Sequence, residues 1–283
     1  MTHSLFAELL IHNLPAKQKA VYAYHPAIGK FRIDNLPSQT KATYNTPSEW
    51  AKLCLNFTPD PAQAQILDTP QNRIIVNCTR QWGKSTTAAI RALYQALHAP
   101  ATLTLILSPS LRQSGELYGK IVGLLHTLNL SRKTDARNQL SLEFPNRSRI
   151  VALPGNETTI RGFSAASLVI IDEAARVPDP LFRSALPFLA TTNGTLLIMS
   201  TPRGQHGYFY NAWVSRHNWL RIAVPATECP RISKEFLDSE RAQSTDRYFR
   251  QEYMCDFLGS QSSFLAQNLL ERIHTTNFDP LPL

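Results

Sequence analysis

This sequence has no long apolar run, no Cys-x-x-Cys pair and no excess of acidic residues, and each absence closes a class of explanation. The N-terminal stretch Met1–Leu14 carries Leu5-Phe6 and Leu9-Leu10-Ile11 around Glu8, which is amphipathic and too short to span a bilayer. Neither a signal peptide nor a transmembrane segment is legible, so a soluble, intracellular protein with no membrane partner is the expectation. The four cysteines, Cys54, Cys78, Cys229 and Cys255, are widely spaced, which argues against a zinc site or a disulfide framework and fits a reducing cytosol. Charged residues make up only 18% of the 283 positions and hydrophobic ones 43%, a composition that builds a core instead of a disordered chain. That length holds one large α/β domain with additions, or two small ones. Acidic residues are outnumbered 21 to 29, and the formal charge of +8 favours polyanionic partners without separating nucleic acid from a membrane surface.

What is present is concentrated in two motifs. Residues 74–86 read Ile-Ile-Val-Asn-Cys-Thr-Arg-Gln-Trp-Gly-Lys-Ser-Thr, in which the β-branched run Arg73–Cys78 reads as a buried parallel strand and Ser85–His98 as a helix. A strand, a turn and a helix in that order aim a helix N-terminus at phosphate. The phosphate-gripping pattern is G-x-x-x-x-G-K-[ST], and Cys78 stands where its first glycine belongs. Gly83 lets the backbone approach, Lys84 reaches the β- and γ-oxygens, and the Ser85 hydroxyl can ligate Mg²⁺. Thr79, Arg80, Gln81, Trp82 and Thr86 complete the nucleotide-binding turn, and a fixed Arg80 guanidinium can offset transition-state charge there. The second motif, Leu168-Val169-Ile170-Ile171-Asp172-Glu173, is a buried strand ending in two carboxylates. Asp172 would organise the metal and Glu173 would orient and deprotonate the attacking water. The pair points to a nucleotide hydrolase acting on a triphosphate and its Mg²⁺; ATP is the nucleotide if Gln63 reads an adenine edge. The plainer alternatives are an ordinary strand-to-helix turn with an exposed lysine, and a strand whose acidic end faces solvent.

Strands alternate with helices over most of the chain. Helices are expected at Pro47–Leu55, Ala62–Leu67, Leu111–Leu128, Leu181–Leu189, Gln205–Ser215, Ser233–Arg241 and Asp246–Phe257. Strands are expected at Thr102–Leu107 and Thr195–Ser200, with a hairpin of Gln139–Phe144 and Arg149–Leu153. The alternation implies a mostly parallel sheet with helices on both faces. Ligands bind at the carboxyl ends of such strands, where Cys78, Ser108, Asp172 and Ser200 all fall. Ser200-Thr201, followed by Pro202, could touch the γ-phosphate or its water, or simply build a turn. Gln63 could read the adenine edge, or be an exposed helix glutamine. Arg161 could act in trans on a neighbour's nucleotide, or contact DNA. Residues 1–48 mix Tyr22, Tyr24, Phe31 and Tyr44 with lysines and prolines and read as an irregular arm, solvated or touching nucleic acid.

With those residues in view, the chain resembles the ATPase domain of a tailed-phage terminase large subunit, the motor that packages double-stranded DNA into a procapsid. The resemblance spans about Thr46 to Phe264. It rests on Arg80-Gln81-x-Gly83-Lys84-Ser85, Thr159-Ile160-Arg161-Gly162, Leu168–Ala175 and Ser200-Thr201-Pro202-Arg203-Gly204. Pro230-Arg231-Ile232-Ser233 and Phe249-Arg250-Gln251-Glu252-Tyr253 add to it. It implies an α/β P-loop NTPase of the RecA/ASCE kind with a small irregular N-terminal arm. The divisions are an arm or cap at 1–48, the ATPase domain at 49–262, and a tail at 263–283. It further implies that Gln63 recognises adenine, that Arg80, Lys84, Glu173 and Arg161 are catalytic, and that Ser85 and Asp172 hold Mg²⁺. Ser200 and Thr201 would couple hydrolysis to DNA movement. Duplex DNA, a portal protein and a small terminase subunit are the implied partners, in a homo-oligomeric ring on the procapsid and a monomer in dilute solution, within the host bacterial cytoplasm. Such subunits normally continue into an RNase H-like nuclease. Here no downstream acidic cluster follows Asp279-Pro280-Leu281-Pro282-Leu283, so the expectation is no nuclease activity in this chain, with a separate nuclease subunit as one way to supply it. Two rivals remain open: one half of a helicase-like ATPase, and an inactive remnant kept for DNA binding or assembly.

Overall fold

The computed structural model describes residues 21–25, 29–33, 44–128, 130, 140–153, 160 and 162–259. The first stretch Met1–Leu14, Thr159, Arg161 and the tail 263–283 therefore lie outside the described residues. Within the segment read as an irregular arm, β1 (Val21–His25) and β2 (Gly29–Ile33) pair antiparallel, with Val21 opposite Ile33 and His25 opposite Gly29. Valine, tyrosine, phenylalanine and isoleucine there have the β-propensity that the scattered lysines and prolines obscured.

The main sheet has seven strands. They are β3 (Arg73–Cys78), β4 (Leu103–Leu107), β5 (Ser141–Glu143), β6 (Arg149–Leu153), β7 (Leu168–Asp172), β8 (Thr195–Ser200) and β9 (Leu220–Val224). Their spatial order is β5-β6-β4-β7-β8-β3-β9, and every pairing is parallel except that of β5 with β6. Side chains alternate between two cores, as a strand period of two requires. Ile74, Val76, Ile106, Ile170, Leu197 and Met199 face one side, and Ile75, Leu105, Leu107, Val169, Ile171 and Ile198 the other. Burial on both faces explains why these strands read as continuous apolar runs.

The first core is covered by α1 (Pro47–Leu55), α2 (Pro61–Asp68), α3 (Lys84–His98) and α4 (Leu111–Thr127). The second is covered by α5 (Asp179–Ala185) and α6 (Gly207–Val214). Helices α7 (Lys234–Gln243) and α8 (Asp246–Glu252) close the described chain around Leu237 and Phe249. Starts are set by caps: Thr46 accepts from the Glu49 amide, Ser110 from the Gln113 amide, and Asp60 forms a reciprocal capping box with Gln63. None of these helices is long and apolar enough to cross a membrane.

Two expectations give way, and one strand was not foreseen. The single helix 181–189 is α5 followed by a 3₁₀ turn, Leu186–Leu189, because Pro187 has no amide to donate and restrains the residue before it. The last helix stops at Glu252, five residues early, and the chain turns back with Cys255 at φ 62°. Finally β9, where Arg221 interrupts the apolar pattern, is a strand that nothing in the sequence pattern announced.

Gly194 is the tightest point beside β8. A Cβ there would collide with the Ala166 carbonyl and stand 2.7 Å from Leu189 Cδ2 and 3.0 Å from the Ser167 carbonyl. Gly194→Ala should destabilise the domain by about 1–3 kcal/mol, the usual cost of overpacking. The measurement is a lowered urea midpoint at unchanged m-value. An unchanged midpoint would mean that the turn before β8 yields freely.

Candidate functional site

Between the end of β3 and the start of α3, the chain turns on Gln81 at φ 63° and Gly83 at φ 101°. Glycine is required at 83 because the backbone is left-handed; a Cβ would also crowd the buried Gln63 Nε2 at 3.0 Å and displace the end of the Arg231 side chain. Unlike α1, α2 and α4, α3 has no side-chain cap, so its first amides are left for an outside acceptor. Cys78 is tolerated in place of a glycine because it is the last residue of a strand, with its thiol fully buried. Burial pushes that thiol far above its ordinary pKa, so it behaves as a small apolar group.

The turn is fastened from behind. The Thr79 amide donates to the Val224 carbonyl (2.9 Å) and its hydroxyl to the Glu252 carbonyl (3.2 Å). The Trp82 indole donates to Asp60 Oδ2 (2.8 Å), and Gln63 Nε2 donates to the Trp82 carbonyl (3.1 Å). Gln63 Oε1 meanwhile accepts from the Asp60 amide (3.0 Å). Gln63, Thr79 and Trp82 are thus buried scaffold. Gln63, expected to read an adenine edge, lies closed beneath the turn because the capping box of α2 recruits its carboxamide.

In front of the turn is a cleft of about 540 Å³. Arg80, Gln81, Gly83, Lys84, Ser85 and Thr86 form one wall; Gln113 and Lys120 of α4, Glu173, Arg176 and Arg231 form the rest. Five cationic side chains therefore line it beside one carboxylate. Four ion pairs join in sequence. Lys84 Nζ meets Glu173 Oε1 at 2.6 Å, and Arg176 Nη1 meets Glu173 Oε2 at 2.9 Å. Arg176 Nη2 reaches Glu252 Oε1 at 3.4 Å, and Arg80 Nε reaches Glu252 Oε2 at 2.8 Å. Glu173, at φ 53° just past β7, turns the two neighbouring carboxylates apart. Asp172 points back to the Ser85 hydroxyl (3.1 Å) and also accepts from the Glu173 amide (2.9 Å).

Ser85 and Asp172 offer paired hard oxygens at the foot of the cleft, which suits a divalent cation that keeps water and phosphate as its other ligands. Among the described residues no group of three or more His, Cys, Asp or Glu could cage a metal by itself. The three charged partners share their attraction unevenly. Burial alone would raise the Glu173 carboxyl, but Lys84, Arg176 and Arg80 outweigh it and hold it below its ordinary value. Burial would lower Lys84, yet Asp172 and Glu173 raise it overall. Asp172 is more deeply buried, and its hydrogen-bond partners are a hydroxyl and an amide in place of an ammonium. Burial therefore wins, and its carboxyl is held above the ordinary value.

Ser200 and Thr201 are also buried at the carboxyl end of β8. Thr201 Oγ1 accepts from Arg176 Nη1 (3.1 Å), whereas Ser200 Oγ has no partner among the described residues. Sequence reasoning assigned no role to Arg176, Lys120, Arg231 or Glu252. Arg231 and Glu252 stand inside stretches that carry the resemblance, and Arg176 lies one helical turn beyond Glu173. Lys120 has no signal beyond helix spacing.

The family described as terminase large subunit, T4likevirus-type, N-terminal, matches residues 75–272. The large terminase subunit of Thermus phage G20c is 25% identical over 257 residues, covering 78% of this chain and 53% of that protein. The chain thus spans about half the length of the curated relatives it matches. The ATPase domain of the Thermus phage P74-26 large terminase superimposes with a TM-score of 0.67 at 20% identity, over 76% of this chain and all of that one. The large terminase of a thermophilic bacteriophage, solved with ADP, gives 0.59 at 12% identity, over 71% of this chain and 54% of that one. These likenesses establish the P-loop, ASCE-type fold.

Because Asp172 has its carboxyl raised in the folded state, stability is lost as the pH rises from the ordinary carboxylate value through the folded pKa, and the loss is complete above it. Asp172→Asn should therefore raise Tm in EDTA without nucleotide at pH 7. The gap should close as the pH is lowered below the carboxylate range, where Asp172 is protonated. Thermal scans at both pH values check this, and a Tm lowered at pH 7 would mean that the attraction of Lys84 for the ionised carboxylate outweighs the cost of its burial.

Proposed function

The chain belongs to the family of T4-like terminase large-subunit N-terminal domains, and from that premise we propose that it is an ATP-hydrolysing motor domain that drives packaging of double-stranded DNA into a procapsid. The single observation that carries this reading is the cleft itself: five cations and an uncapped helix start around one carboxylate held between a lysine and an arginine. A triphosphate is the ligand whose charge such a cleft matches.

In this reading the β- and γ-phosphates lie against the start of α3, with Lys84 and Arg80 neutralising their charge. Gln81, Gly83 and Thr86 line the phosphate path. Ser85 and Asp172 hold Mg²⁺, which when bound neutralises charge developing on the phosphate oxygens. Glu173 orients the attacking water. Without ligand, Lys84, Arg176 and Arg80 hold its carboxyl below the ordinary value; as Lys84 and Arg80 turn to phosphate that hold weakens, and Glu173 can take a proton from the water it orients. Phosphate competes with Glu173 for Lys84, and binding frees Oε1 to face the water. Gln63 acts by shaping the turn. Ser200-Thr201 passes the state of the phosphate to the loop after β8, and Arg161 serves a neighbouring subunit's site. Duplex DNA held through its backbone, a portal protein and a small terminase subunit are the partners, in a ring on the procapsid.

Lys84→Ala should lower Mg²⁺-dependent ATP turnover by about 10²–10³-fold, as losing a preorganised charge does, and weaken ATP binding. Glu173→Gln should cost about 10²–10⁴-fold while leaving binding intact. Steady-state turnover and ATP titration check both, and linear duplex DNA should stimulate the wild type. A Glu173→Gln protein as active as the wild type would remove this carboxylate from the mechanism.

A further inference from the structure

Arg176 ends the 3₁₀ turn Ala174–Arg176 that starts on Glu173. Its amide donates to the Glu173 carbonyl (2.8 Å), so the chain curls back and returns the guanidinium to the side chain three residues earlier. From there one planar group reaches three elements. Nη1 is shared between Glu173 Oε2 (2.9 Å), beyond β7, and Thr201 Oγ1 (3.1 Å), beyond β8. Nη2 reaches Glu252 Oε1 (3.4 Å) in α8. A lysine ammonium is a point donor and could not span all three.

The two carboxylates have complementary second partners. Lys84 holds the other oxygen of Glu173, and Arg80 the other oxygen of Glu252. Both of those cations are the ones that a triphosphate takes. Once they turn to phosphate, Arg176 is the cation left on each carboxylate, and Glu252, only 4% exposed, cannot be left unpaired without a large cost. Arg176 is thereby pinned by Glu252 at the moment when Glu173 is released at one oxygen and must stay fixed at the other.

We propose that Arg176 is the positioning residue of the hydrolysis site, holding Glu173 by Oε2 so that Oε1 faces the water, and that its shared Nη1 ties the orientation of Glu173 to that of Thr201. This rests on the ATPase reading above.

The test is steady-state ATP turnover with ATP-γ-S binding, in the full chain, for Arg176→Ala, Arg176→Lys, Thr201→Val and the Ala/Val double variant. Arg176→Ala should lose about 10–100-fold in kcat, the scale of a misplaced reacting group, with KM and ATP-γ-S affinity within about threefold of wild type. Arg176→Lys should recover part of that loss, and millimolar guanidinium chloride should partly restore Arg176→Ala, which a merely structural role would not allow. Thr201→Val should lower kcat alone but add little to Arg176→Ala, since residues in one network couple. An unchanged kcat, a KM that rises in step with the loss, or no rescue by lysine or guanidinium would overturn the positioning role. Additive losses would overturn the tie to Thr201. A wild type that binds nucleotide but never turns it over, even at protein concentrations where copies associate, would overturn both this role and the hydrolytic reading. An active wild type with an indifferent Arg176→Ala overturns this role alone.

Discussion

Strand β8 lies between β3 and β7, and its parallel register sets Ser200 beside Asn77 and Met199 beside Asp172. That insertion brings three chain turns to one edge of the sheet: the loop to α3, the two carboxylates, and Ser200-Thr201. Parallel strands buried on both faces cannot slip by a residue without turning their apolar side chains to the wrong core. The spacing between Lys84 and Glu173 is therefore a property of the sheet more than of either motif. Gly194 belongs to the same constraint, since it lets β8 begin tight against the segment before β7.

The charges at that edge are already satisfied before any ligand arrives. Lys84, Glu173, Arg176, Glu252 and Arg80 alternate in sign along one line of contacts. A ligand that enters must exchange partners, and the exchange is favourable only for a ligand that brings more negative charge than the carboxylates it displaces. Neutral or singly charged molecules gain little from it. A polyphosphate, with several oxygens and the open amides of α3 as further donors, gains on each contact. Pairing of Lys84, Arg80 and Arg176 within the protein thus weights the cleft towards anions of high charge.

Much of this was legible in the sequence because it is local. The strand and helix around residues 73–98, the Leu168–Asp172 strand and the hairpin near residues 141–153 all follow from apolar period and turn chemistry. Lys84, Ser85, Asp172 and Glu173 were identified by spacing and are brought into contact. What stayed hidden is either non-local or mixed in signal. β9 takes its place from pairing with β3, and Arg221, its second residue, conceals it. Arg176 stands at i+3 of Glu173, but its contact with Glu252, 76 residues away in the chain, is one that no spacing encodes. Gln63 shows the opposite failure. Its position before the nucleotide strand was visible, but not that a capping box would claim its side chain.

The frame beneath the turn bears on how the site works. Asn77 Nδ2 donates to the Cys255 carbonyl at 2.8 Å, and Thr79 donates to Val224 and Glu252 carbonyls. Trp82 and Gln63 bind the turn to the start of α2. All of these contacts lie behind the cleft and none uses a group that phosphate would claim. Arg80 is the exception, with its side chain 61% exposed and its partner Glu252 buried. When Arg80 turns to an anion, the backbone bonds of Thr79 to the same distant segment remain in place. Ligand exchange is then a movement of guanidinium and ammonium groups over a fixed backbone, with little reorganisation of the donors that face the phosphates. That is the condition under which preorganised charge lowers a barrier most. It also explains why residues 252–255, remote in sequence from the phosphate turn, are built into the floor of the site.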